Sequence, residues 1–331
     1  MKSLKKVHFI LLLSLVGILL VSGCIGQRGV TVLENDGLRI ADFSAEPQDL
    51  DVNDATTFTL QVENVGYVDA TDVNVSLGGI ENSWRTLSNA LVADSNDFSK
   101  RYSRLFPPNP KFNQPGDLRV ASWIFKTPEL PPGLQVDRRV DANVLYNYKT
   151  TGSITVRAVG EQYLRTNYIA KGKTVQVPDI FNTNAPVKLL WPTTGPWSNY
   201  FIRVDDAADA EKFQEKAIQI RLVNVGSGFP ITDGVPGRVY GNITIRGPAK
   251  FRDCLGSQNT PNVYITPGTL GADLSKLKVS KGEVTISCVL VIDKDVFLQR
   301  GIPEEPIIMN FDLDYRYYLT APVTISVNSY K

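Results

Sequence analysis

The sequence predicts an all-β protein: two tandem antiparallel β-sandwiches behind an N-terminal apolar signal or anchor helix. Two observations carry this. Short runs alternate apolar and polar residues with period two between turn-forming clusters, and three of these runs recur in the same order in the second half of the chain.

The leader comes first. MKSLKK carries three lysines and is followed by the uncharged run VHFILLLSLVGILLVS. A basic start, an apolar stretch and a small-residue exit describe a secretory signal. About sixteen apolar residues are short for a helix that must cross roughly 30 Å of hydrocarbon. Residues 1–23 are therefore read as a removable signal, with an uncleaved anchor helix as the alternative, and residues 24–36 as a short tether. Either way the remainder lies outside the cytoplasmic membrane.

The next elements are strands. In FTLQVENVG (58–66), Phe58, Leu60 and Val62 alternate with Thr59, Gln61 and Glu63, and IQIRLVNVG (218–226) repeats the pattern. NVSLGG (74–79) matches NITIRG (242–247), and YNYKTTGSITV (146–156) matches YRYYLTAPVTI (315–325). The offsets, 160, 168 and 169, are almost constant, so one architecture is used twice. Val144, Tyr146 and Tyr148 share a face, as do Leu313, Tyr315 and Tyr317. Turn clusters such as ELPPG and RGIPEEP separate the runs and favour antiparallel pairing. The modules are placed at 37–160 and 161–331. Residues 81–110 do not alternate and read as a long loop or short helix. DDAADAEKFQEKA (205–217) reads as a helical turn.

The order ADFSAEP…FTLQVENVG…VNVSLGG…ASWIFKTPELPPG…VLYNYKT resembles the Ig-like, cell-adhesion-related (CARDB-type) domains of archaeal and bacterial surface proteins. The leader's Val21-Ser22-Gly23-Cys24 resembles a lipobox, which implies cleavage before Cys24 and lipid attachment to its thiol. Both resemblances imply a lipoprotein at the outer face of the membrane, with Ig-like modules acting as spacers or binding units.

With Cys24 set aside, Cys254 and Cys288 remain, and an oxidising exterior favours a disulfide between them. Asn74-Val75-Ser76 and Asn242-Ile243-Thr244 are glycosylation sequons at equivalent repeat positions, on the polar faces of their strands. WPTTGPW places Trp191 and Trp197 around a turn with Tyr200 following, a possible binding platform or an aromatic plug. DLDVND (49–54) begins like a calcium loop but lacks its glycine and final glutamate, so it reads as a turn.

The 331 residues carry a net charge of +1, with 43% hydrophobic and 21% charged residues, which gives no overall field for nucleic acid. The only histidine, His8, lies in the leader, so a Ser-His or Cys-His nucleophile and a histidine metal site are absent from the rest. No cofactor motif is present. The reading is non-enzymatic: a membrane-anchored protein presenting two modules to a surface protein or glycan. A structural subunit of an envelope or filament assembly and a cell-surface polymer hydrolase are the alternatives.

Overall fold

A computed structural model describes residues 36–80, 83–92, 97–173, 178–192, 201–205, 212–265, 282–298 and 302–329. The leader, Cys24, most of the tether, Trp197 and Tyr200 lie outside the described residues. Among the described residues no helix is long and apolar enough to cross a membrane.

The described chain is all-β, and its strands form three largely antiparallel sheets. β1 (Leu38–Glu46), β3 (Ala55–Asn64) and β6 (Leu118–Lys126) make a three-stranded sheet in the order β1-β3-β6. A large sheet has β7 (Gln135–Gly160) and β19 (Glu304–Asn328) at its centre. β4 (Ala70–Gly78) and β5 (Ser99–Leu105) extend it beyond β7. β12 (Phe229–Thr232), β13 (Val235–Pro236), β14 (Tyr240–Arg246) and β17 (Asn262–Ile265) extend it beyond β19. β8 (Asp179–Asn182) pairs antiparallel with β7. β2 (Asp49–Asp51) and β10 (Phe201–Val204) join as short parallel strands, which the long stretches of chain between each and its partner allow. The third sheet runs β16 (Ser257–Thr260), β15 (Ala249–Cys254), β18 (Glu283–Asp293), β11 (Phe213–Asn224), β9 (Val187–Leu190).

β7 and β19 are antiparallel neighbours from Gln135↔Asn328 to Val159↔Glu304. Even-numbered residues of β7 from Val140 to Ala158 and odd-numbered residues of β19 from Ile307 to Val327 line one largely buried face. Just to one side of the pair's midpoint, the Leu38 amide of the three-stranded sheet bonds Tyr146 at 3.0 Å. Further along, the Val187 carbonyl of the five-stranded sheet accepts from Thr150 at 2.7 Å. The two small sheets thus cover successive stretches of one long ribbon.

The segments 37–160 and 161–331 both contribute to this ribbon, β7 from one and β19 from the other. β7 begins under the first small sheet and ends beside the second; β19 returns in the opposite direction. Residues 34–331 accordingly form one compact unit. The repeat supplies the geometry. Asn147 and Arg316 are equivalent at the 169-residue offset and pair with each other. A pseudo-twofold axis therefore passes between them and relates the halves.

Four tyrosines surround that axis. Tyr146, Tyr148, Tyr315 and Tyr317 are buried, with neighbouring ring centroids 5.7 to 6.5 Å apart. Each hydroxyl ties down a chain segment, as a buried polar group must. Tyr146 takes the Leu38 amide and Tyr315 the Val187 amide, at the starts of β1 and β9. Tyr148 takes the Tyr67 amide at 3.0 Å, and Tyr317 takes the Gly228 amide at 3.1 Å.

These contacts explain the repeated Asn-Val-Gly. Buried Asn64 donates to the carbonyls of Val68 and Leu105 and accepts from Gly66; Asn224 donates to Gly228 and accepts from Gly226. A Cβ on Gly66 would collide with the Tyr148 hydroxyl, and one on Gly226 with that of Tyr317.

Cys254 and Cys288 oppose each other on β15 and β18 and are joined by a disulfide, with Cα atoms 4.4 Å apart. Closing a loop of this length contributes about 4 kcal/mol in the chain-entropy model. Two expectations fail locally. Ser99–Leu105 is a strand rather than loop or helix; as an edge strand it buries only Leu105, so its sequence carries no alternation. Phe213–Ala217 belongs to β11, where pairing with Val289–Asp293 overrides the helix-forming Glu and Lys.

Burial raises the phenol pKa of all four tyrosines above the ordinary 10.0, Tyr148 up to about 12. A raised folded pKa gives stability that is complete below the unfolded value and lost as pH climbs beyond it. Base titration should therefore unfold the protein above pH 10.0, with the quartet ionising together with loss of near-ultraviolet circular dichroism. Tyr317→Phe, which strips Gly228 of its acceptor, should cost about 1–3 kcal/mol in urea unfolding. Quartet ionisation within an intact fold would contradict this.

Candidate functional site

Among the described residues a cleft of about 520 Å³ lies in the second half, between β10 of the large sheet and β11 of the five-stranded sheet. A helical turn, Glu161–Tyr163 continued by Leu164–Ile169, closes one side. Its apolar lining comes from Leu164, Trp191, Phe201, Ile202 and Ile218. Strand alternation turns Ile202 inward and Arg203 outward on β10, whereas Lys216 and Ile218 share one face of β11, with Ile218 buried and Lys216 partly exposed toward the strand's start.

Trp191 follows β9 and is only 4% exposed, so it is not a surface platform. Its position after the apolar strand Val187–Leu190 carries it into the interior. Among the described residues its indole Nε1 has no hydrogen-bond partner. A buried donor without a partner costs about 1–3 kcal/mol, which calls for an explanation at this position.

The rim is organised by charge. Glu161 accepts from Arg203 Nε at 2.8 Å and Arg165 Nε at 3.0 Å. Hydrogen bonds from Arg203 and then Arg165 hold its carboxyl below the ordinary range, so it stays ionised. Glu215 pairs with Arg252. Gln214 accepts from the Asp205 amide at 2.8 Å and donates to the Arg203 carbonyl at 3.2 Å, fastening β10 to β11. Lys216 has no ion pair among the described residues. The cleft thus offers an apolar floor, a buried donor and a positive rim group. The one carboxylate in its lining, Glu215, is held by Arg252.

The other sequence candidates lie elsewhere. Asn74 on β4 sits between Arg101 and Leu145, and Asn242 on β14 between Tyr264 and Asp312. Both are partly exposed on the face of the large sheet opposite the buried one. DLDVND forms β2 and a turn with Asn53 in the left-handed region (φ 65°), where Asp54 accepts from the Asp51 amide. Among the described residues no group of three or more acidic, histidine or cysteine side chains is placed to hold a metal ion. Sequence reading found Trp191 but missed Leu164, Ile202, Arg203 and Lys216; only the strand pairing of 201–204 and 213–218 brings them together.

No family model matches the sequence, and no curated protein matches it. Among solved structures, Pseudomonas fluorescens alkylpurine DNA glycosylase AlkC is 8% identical over 33% of this chain and 27% of its own, with a TM-score of 0.20. The C-terminal domain of Wzt is 16% identical over 34% and 61%, with a TM-score of 0.21. The type II cohesin dyad of the ScaA scaffoldin from Acetivibrio cellulolyticus is 10% identical over 82% and 83%, with a TM-score of 0.20. The chain spans about a quarter and three fifths of the first two. Likenesses this slight carry no inference, and the reading rests on the chain's own geometry.

Trp191→Phe removes the unpartnered donor while keeping an aromatic ring. It should change unfolding free energy by less than about 1.5 kcal/mol, whereas Trp191→Ala should cost about 3–5 kcal/mol. Equal losses in thermal or urea unfolding would show that the indole N–H is satisfied.

Proposed function

We propose that this chain is a non-enzymatic, extracytoplasmic binding protein, tethered to the outer face of the membrane through its N-terminal segment and Cys24. Two Ig-like halves fused through one sheet would hold a binding cleft away from the membrane. The leader sequence supports the placement. The cleft supports the activity, and the single observation that carries it is the buried, unpartnered Trp191 Nε1 on its apolar floor.

The ligand chemistry follows from the lining. The apolar lining packs against the C–H face of a sugar ring and Lys216 pairs with a carboxylate, while the indole N–H, buried in the structure as it stands, would donate to a hydroxyl once the Trp191 ring turns toward the cleft. A cleft of about 520 Å³ lies within the size range of small-ligand sites. The reading is an acidic saccharide bound without chemical change. Glycans on Asn74 and Asn242, if attached, would lie on the uncovered face of the large sheet.

Titrating the full chain in detergent with tri-galacturonate and a neutral trisaccharide, followed by tryptophan fluorescence and calorimetry, tests this. The acidic sugar should bind more tightly and emerge unaltered. Lys216→Gln should weaken it by up to about 5-fold, as expected for a partly exposed ion pair. Equal affinity for both sugars, no binding, or turnover would overturn the reading.

A further inference from the structure

The outer edge of β6 is the second unusual surface. Its even-numbered residues direct their backbone groups away from β3. Lys126 exchanges both bonds with Arg85 on that side, the Ser122 carbonyl accepts from Lys100 Nζ at 2.6 Å, and the Val120 carbonyl accepts from Tyr102 Oη at 3.3 Å. Residues alternate along a strand, so the amides of Val120, Ser122 and Ile124 face the same way. Among the described residues no strand pairs with them.

Three further features coincide here. Leu118, Val120 and Ile124 are 48%, 54% and 47% exposed at strand spacing, which suits an extended partner rather than a helix. Beside the edge lies a groove of about 450 Å³ lined by Leu87, Asp97, Lys100, Trp123 and Ile124. Trp123 lines it, is 3% exposed, and among the described residues its Nε1 has no hydrogen-bond partner. The corner is also basic, although the whole chain carries only +1. Arg101, Arg104 and Arg119 have acidic neighbours at 3.4 to 3.6 Å. Lys100 instead bonds a carbonyl and lies over the Trp123 ring, and Lys126 bonds Asn89.

We infer that the β6 edge accepts an extended acidic peptide segment of another protein as a fourth strand. The outward amides take its carbonyls. Its apolar side chains continue the Leu118–Val120–Ile124 row, and its alternate acidic side chains meet Lys100 above Trp123. A second copy of this chain fits poorly, because pairing β6 with itself brings the two Lys100 side chains together. Charge complementarity therefore selects a different, acidic chain.

The test uses the full chain in detergent and two fluorescent heptapeptides, one alternating valine with glutamate and one alternating valine with lysine. Anisotropy should show the acidic peptide binding at least about ten-fold more tightly. Ser122→Pro removes an outward amide at an edge position where proline is tolerated, and should abolish binding with the thermal midpoint unchanged. Val120→Glu, on an exposed side chain, should weaken binding several-fold without touching the backbone, because it breaks the apolar row and repels the acidic peptide. Equal binding of both peptides overturns the inference, as does full competition by an acidic polysaccharide such as alginate or retention of affinity in both variants. So does a peptide-free dimer in sedimentation that Val120→Glu dissociates. Tri-galacturonate binding at Trp191 should be unaffected by these variants, so the two readings fail separately.

Discussion

Four buried tyrosine hydroxyls at the crossing of the two long strands set the architecture. A phenol carries a polar group into the core, and the interior accepts it only if a partner waits there. Here the partners are backbone amides at the starts of β1 and β9 and in the loops after β3 and β11. One cluster thus fixes where the small sheets begin and how their first loops turn. The asparagines and glycines of the repeat are the side of that contract that local sequence can display.

Continuity of β7 and β19 has a mechanical consequence. Two domains joined by a linker move independently, whereas two halves that share hydrogen-bonded strands across their junction do not. The Trp191 cleft belongs to this fixed frame on its β11 side and to a short parallel strand on its β10 side. Gln214 bonds across the gap, so the cleft is held open by structure rather than by a ligand.

Much of this was legible in the sequence, and the failures have physical causes. Period-two alternation marked Phe58, Leu60, Val62, Ile218 and Ile220 as core, and they are buried. Repetition marked Tyr146, Tyr148, Tyr315 and Tyr317 as equivalent. It did not disclose the crossing, because a constant offset is equally compatible with consecutive modules and with halves that exchange their last strands. β5 escaped notice because an edge strand needs no buried face. Trp191 was recognisable as unusual, but its burial depends on neighbours contributed by β10 and the helical turn, remote in sequence. The open β6 edge was invisible for a related reason: alternation reveals which side chains are inside, not which backbone groups lack a neighbour.

The central claim is that the two halves form one cooperative body through the tyrosine crossing. Native-state hydrogen exchange read residue by residue tests it most directly. Amides of β3 in the first half and β18 in the second should exchange with the same opening free energy and the same denaturant dependence, and Tyr146→Phe should lower both together. Separate opening free energies for the two strands, with the substitution felt only by β3, would contradict the account.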